Sequence, residues 1–148
     1  MTRGEKLRIT RFRSALLEWY AEHGRDLPWR HAGASTYERI CVEVLLQRTR
    51  AETIDGVYRE FFRRFRDWDA LARASVEELE EVLKPLGLWR RRARSMKALA
   101  EYAAARDGIF PADEHELEQV PAAGQYVRNA ILLFQHGRRK PLVDVNMA

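Results

Sequence analysis

The sequence predicts an all-α fold of about eight helices joined by short connections. Three observations predict it. Apolar residues recur at three- and four-residue spacing along most of the chain, the intervals between these runs carry helix-capping and helix-stopping residues, and no convincing period-two alternation occurs.

Ile9, Phe12, Leu16, Trp19 and Tyr20 share one helical face and predict a first helix over 5–23, stopped by Gly24. Residues 24–35 read as a loop holding Leu27-Pro28-Trp29. Ser35 or Thr36 caps a second helix that runs to Gln47. Ile54, Val57, Tyr58, Phe61 and Phe65 stripe a third, and a short fourth covers 67–74. Ser75-Val76-Glu77-Glu78 is a capping-box pattern opening a fifth, which Pro85 and Gly87 close. A sixth helix spans 89–106 and a short seventh 113–119. An eighth starts near Gly124, carries Val127, Ala130, Ile131 and Phe134 on one face, and ends at Gly137. Pro141 to Val145 is too short to build a sheet. With no repeat, low-complexity segment or linker, residues 1–148 read as one domain.

Hydrophobic residues make up 46% of the chain, enough for a real core and too many for a disordered one. No apolar run approaches the ~20 residues of a membrane span, and the Arg-rich start lacks the apolar region of a signal peptide. A soluble protein of the cytoplasm, associated with the nucleoid, is therefore expected. The net charge of +4 is compatible with a nucleic-acid partner. The clustering says more: residues 89–97 hold Arg90, Arg91, Arg92, Arg94 and Lys97, and a second cluster is Arg63-Arg64-Phe65-Arg66. On charge alone these are equally well solvated helix faces. The single cysteine, Cys41, sits in the run Ile40-Cys41-Val42; it forms no internal disulfide or four-Cys metal site and reads as packing.

Val120-Pro121-Ala122-Ala123-Gly124-Gln125-Tyr126 joins a short helix to the eighth through a tight turn of small residues. The backbone N–H groups at such a helix start, here around Ala123, Gly124 and Gln125, form a natural seat for phosphate. By itself the segment is also an ordinary helix–helix turn.

The motifs together resemble the helix-hairpin-helix superfamily of endonuclease III and the mismatch DNA glycosylases. That family's hairpin reads Leu-Pro-Gly-Val-Gly, and its catalytic Asp lies in Val-Asp-x-Asn or Val-Asp-Thr-His. This chain has Val143-Asp144-Val145-Asn146, with Asp144 eighteen positions after Tyr126. Leu16-Leu17-Glu18-Trp19-Tyr20 and Arg25-Asp26-Leu27-Pro28-Trp29-Arg30 resemble the start of the adenine and thymine mismatch enzymes. Glu43-Val44-Leu45-Leu46-Gln47-Arg48-Thr49 is similar to the Glu-Val-Met-Leu-Gln-Gln-Thr of the adenine enzymes, and closer to the Glu-Ile-Leu-Leu-Arg-Arg-Thr of the thymine–guanine enzymes.

The resemblance implies a base-excision-repair glycosylase acting on double-stranded DNA that contains a mismatch. Asp144 is then the carboxylate facing the positive charge that builds on the sugar as the glycosidic bond breaks. Glu43, the only charge within 40–46, is a carboxylate that must emerge at a cleft or be paired, and in the adenine enzymes its counterpart protonates the leaving base. Tyr126 stands where the bifunctional members carry the Schiff-base Lys; a phenol forms no Schiff base, so no lyase activity is expected. Gln47 and Arg48 match residues inserted where the base leaves the stack, and Arg48 suits guanine's acceptors. Leu88-Trp89-Arg90 sits where relatives place a second probe of the opened duplex; Trp89 either stacks on a base or packs. Arg90 to Arg94, Arg91 included, would contact phosphate. The substrate implied is thymine or uracil opposite guanine, with adenine opposite oxidised guanine, or DNA binding without catalysis, as alternatives.

Two departures matter. Ala122-Ala123 replace Gly-Val in the hairpin, and Ala at a positive φ costs about 1 kcal/mol. The chain also ends four residues after Asp144, short of the further helices and the four-cysteine iron–sulfur loop that many relatives carry. No cofactor is therefore expected in this chain, its first helix is expected to expose apolar surface, and a second chain or a missing C-terminal segment is expected as partner.

Overall fold

A computed structural model describes residues 1–143. Its helices are α1 (Arg3–His23), α2 (Thr36–Leu46), α3 (Ala51–Arg64), α4 (Trp68–Arg73), α5 (Val76–Leu83), α6 (Trp89–Ala104), α7 (Glu114–Leu117) and α8 (Gln125–Phe134), and no strand occurs among the described residues. The predicted all-α fold and the order of its helices are what the structure contains. One local element departs from the sequence reading. Pro28–Arg30 form a 3₁₀ turn inside the expected loop, with Pro28 at its first position and Trp29 buried.

α2 lies at the centre. Tyr37 and every residue from Ile40 to Leu45 are buried, and the helix packs against α8, α3, α6 and the 3₁₀ turn. A helix apolar all round belongs inside a protein, and this one carries Cys41 at 0% exposure, in the packing role expected of it. α3 presents the predicted stripe, burying Ile54, Val57, Tyr58 and Phe61, with Phe65 following it into the core. α6 lies along α4 and α5 and buries Ala93, Met96, Leu99, Ala100 and Ala103; these small residues let the shorter helices approach closely. Tyr37 and Trp68 meet edge to face at 4.8 Å, and the Tyr37 hydroxyl donates to the Phe65 carbonyl at 2.6 Å, so this buried phenol has its acceptor. Burial pushes the Tyr37 phenol far above its ordinary range.

α1 behaves differently. The Thr2–Glu5 capping box starts it and Gly24 ends it, yet it buries none of its residues. Ile9, Phe12, Leu16 and Trp19 are exposed, so the apolar surface expected on this helix is present.

The start of α2 is fixed by a reciprocal cap. The Ser35 hydroxyl accepts from the Glu38 amide, and the Glu38 carboxylate accepts from the Ser35 amide and from the Tyr58 hydroxyl. Burial alone would push the Glu38 carboxyl up, but the hydrogen bonds it accepts from Ser35 and Tyr58, with the nearby Arg39 charge, outweigh that and hold the group below its ordinary value. A carboxyl lowered by folding stabilises the fold above its unfolded value and ceases to do so as pH falls through its folded one. Glu38→Gln is therefore expected to flatten the acid limb of a stability–pH curve below about pH 4.5, measured by urea unfolding, while also lowering stability at neutral pH.

Candidate DNA interface and base pocket

The site begins with the buried carboxylate of α2. Glu43 is 8% exposed, and its Oε2 accepts a 2.6 Å hydrogen bond from the Tyr126 hydroxyl on the first turn of α8. The two residues lie 83 positions apart, and the packing of α2 on α8 brings them together. The sequence reading required Glu43 to be paired or to emerge at a cleft, and the pairing is present. Tyr126 is half-buried, and its other side lines a hollow of about 530 Å³, within the range of sites that enclose a small molecule.

That hollow is built from several places in the chain, among them the start of α3 with Arg50, Ala51 and Glu52. The 3₁₀ turn contributes Leu27, Trp29 and Arg30, the end of α2 and its following loop contribute Leu46, Arg48 and Thr49, and α8 contributes Tyr126. Arg25, Arg30, Arg48 and Arg50 line it against a single carboxylate, Glu52, which Arg25 pairs at 2.5 Å. An aromatic ring, Tyr126, set beside four arginines suits a planar heterocycle attached to a polyanion. Leu27-Pro28-Trp29 carried the resemblance but had no site role assigned from sequence; the 3₁₀ turn that folds Trp29 inward supplies one.

A second cleft of about 490 Å³ adjoins it, with Arg48 lining both. Gln47 and Arg48 form one side, Leu88, Arg91 and Arg92 another, and Ala122, Ala123 and Gly124 of the hairpin the third. Six of the expected DNA-contacting positions thus converge: Gln47, Arg48, Arg91, Ala123 and Gly124 line this cleft, and Gln125 opens α8 beside it. Trp89 and Arg90 lie apart, on a neighbouring hollow along the outer face of α6. Trp89 is partly packed on the core, and the Arg90 guanidinium lies 3.9 Å from its ring centroid. The Ala123 amide donates to the Val120 carbonyl and so closes the turn. The Gln125 side chain bonds Asn129 and Arg128.

Backbone strain gathers at this cleft. The described non-glycine residues with positive φ are Arg48 (58°), Leu88 (57°), Asp107 (52°) and Ala122 (61°), and three of the four line it. Such conformations persist where the surroundings over-determine them, and they cluster at functional sites. The positive φ anticipated for Ala122 is present.

One expectation is corrected. Arg92 was read with Arg90 to Arg94 as a phosphate contact, but it turns inward. Its Nη1 donates to the Leu45 carbonyl at 2.9 Å, its Nη2 to the Gln47 carbonyl at 2.9 Å and to the Thr49 hydroxyl, and its Nε to the Gly87 carbonyl at 2.7 Å. Last-turn carbonyls of a helix lack intrahelical partners and carry partial negative charge, so a guanidinium is well matched to them. The signal was in the spacing: Arg92 precedes Met96, Leu99 and Ala103 at helical intervals and so shares the buried face of α6.

Asp144 lies outside the described residues. The chain is described up to Val143, and the Asn129 amide holds the Pro141 carbonyl at 2.9 Å on the approach to it.

These features coincide with a known family. Residues 41–148 match the HhH-GPD superfamily of base excision DNA repair proteins. The chain belongs to that superfamily. It is 39% identical to a thymine/uracil-DNA glycosylase of Pyrobaculum aerophilum over 140 residues, covering 93% of this chain and 60% of the relative. It is 37% identical to a thymine-DNA glycosylase of Aeropyrum pernix over 145 residues, covering 97% of this chain and 65% of the relative. Its fold is similar to the solved structure of a thermostable thymine-DNA glycosylase, with a TM-score of 0.83 at 27% identity over 98% of this chain and 66% of that one. The chain thus spans just under two thirds of the length of these relatives.

Two outcomes follow for stability. Ala122→Gly removes a left-handed alanine and is expected to stabilise the protein by up to about 1 kcal/mol, a rise of roughly 2–4 °C in Tm by calorimetry. Tyr126→Phe deletes the donor to a buried carboxylate and is expected to cost about 1–3 kcal/mol in the same measurement.

Proposed function

We propose that the protein is a monofunctional mismatch DNA glycosylase that removes thymine or uracil opposite guanine. The observation that carries this reading is Tyr126, which lines a basic-rimmed hollow of about 530 Å³ together with Arg48 and donates its hydroxyl to the buried Glu43 carboxylate behind it. The names of the two relatives support the choice of base.

The chemistry follows from the arrangement. Helix starts and arginines at the hairpin and α6 hold the duplex backbone without reading sequence. Arg48 enters the stack as the mispaired base leaves it, a step that costs least at a mismatch, and its guanidinium answers the acceptors of the widowed guanine. The extruded base stacks on Tyr126, in the hollow that Leu27 and Trp29 back from the core. Breaking the bond between C1′ and the base nitrogen places positive charge on the sugar, which Asp144 offsets. Water oxygen adds to C1′, one proton passes to a carboxylate, and the departing base ends with a proton on its nitrogen. Glu43, held in place by Tyr126, is the group that exchanges a proton with the base side. With a phenol at position 126 there is no amine to form a Schiff base, so the strand stays intact.

The test uses duplexes holding T·G, U·G or A·8-oxoguanine, incubated with the protein and then treated with alkali. Strand cleavage is expected for T·G and U·G only after alkali, and Asp144→Asn is expected to abolish it while binding is kept. Cleavage of the A·8-oxoguanine duplex alone would assign adenine instead. Binding to all duplexes with cleavage of none would make the protein a DNA-binding module.

A further inference from the structure

The left-handed residues Arg48 and Leu88 belong to separate loops. Arg48 follows the last turn of α2, and Leu88 precedes the first turn of α6. Both line the cleft beside the base hollow, and neither is a glycine, so each conformation must be imposed by its surroundings. The Arg92 guanidinium reaches both loops at once. Its Nη atoms hold Leu45, Gln47 and Thr49, the residues that bracket Arg48, and its Nε holds Gly87, the residue before Leu88. It uses donors on all three nitrogens, in a planar fork that lysine cannot reproduce. Among the described residues it has no ion-pair partner, so its charge is matched by carbonyls and one hydroxyl.

We infer that Arg92 is a positioning residue for base extrusion: by tying the two loops together it sets the separation and backbone conformation of Arg48 and Leu88, the side chains that enter the opened duplex. The inference rests on the proposed glycosylase reading and extends it to a residue whose guanidinium is engaged by the protein's own carbonyls. Loss of the clamp releases the loops to ordinary conformations. DNA backbone binding, carried by other arginines and the hairpin, is then kept, while unstacking of the target is lost.

The experiment places 2-aminopurine beside the T of a T·G duplex and follows its fluorescence at saturating protein, with single-turnover excision measured on the same duplex. Wild type, Arg92→Met, Arg92→Lys and Thr49→Val are compared, with circular dichroism to verify folding. The wild type is expected to raise the fluorescence. Arg92→Met is expected to bind the duplex, to give little rise, and to excise roughly 10–100-fold more slowly. Arg92→Lys and Thr49→Val, which keep part of the clamp, are expected to fall between; should Arg92→Met not fold, these two decide. Equal fluorescence rise in the folded variants and the wild type overturns the inference. An equal loss of duplex affinity and of excision, with the rise per bound duplex unchanged, overturns it too, since that marks a general binding defect. A wild type that neither unstacks nor excises the base defeats the glycosylase proposal itself, an outcome distinct from these.

Discussion

A carboxylate sits in the middle of the most buried helix of this protein, and the rest of the site is arranged around keeping it there. An ionisable group removed from water is costly unless it is hydrogen-bonded. Glu43 meets that condition through Tyr126, across 83 residues of chain. The bond works only if α8 lies against α2 in one register, so the pair reports on the packing of the whole domain. The same register puts the hairpin start of α8, with its outward amide groups, beside the end of α2, where Gln47 and Arg48 emerge. Glu43, the Tyr126 ring and the start of α8 are thus positioned by one helix–helix contact.

Around that contact the backbone departs from its preferred conformations in a concentrated way. Left-handed Arg48, Leu88 and Ala122 come from three different connections and line a single cleft. Each is unfavourable on its own, and natural turns of this kind use glycine. At Arg48 and Leu88 a side chain is retained where glycine would relax the backbone, which is the pattern of a position whose side chain has work to do. Ala122 is different, because its methyl reaches no such role, and a glycine there would relieve the turn.

Much of this was legible in the sequence. The helices follow from apolar spacing and from caps at Ser35 and Ser75, because helix formation and capping are local. Glu43 stood out because a single charge within an apolar helix needs a partner, and the motifs named Tyr126 and Arg48 as neighbours of the same site. Two things were not legible. Trp29 looked like a loop residue because a single 3₁₀ turn leaves no periodicity. The partners of Arg92 were hidden too: helical spacing sets it on the inner face of α6, but only tertiary packing brings the Leu45 and Gln47 carbonyls to it.

The central claim is that the extruded base enters the hollow between Trp29 and Tyr126, with Glu43 behind it. The most direct measurement is a crystal structure of the protein with a duplex carrying 2′-fluoro-thymidine opposite guanine, in which the glycosidic bond resists cleavage. The account predicts the thymine rotated out of the helix, stacked beside Tyr126, with Arg48 in the space it left. A thymine still paired in the duplex, or extruded onto a surface away from Glu43, would contradict it.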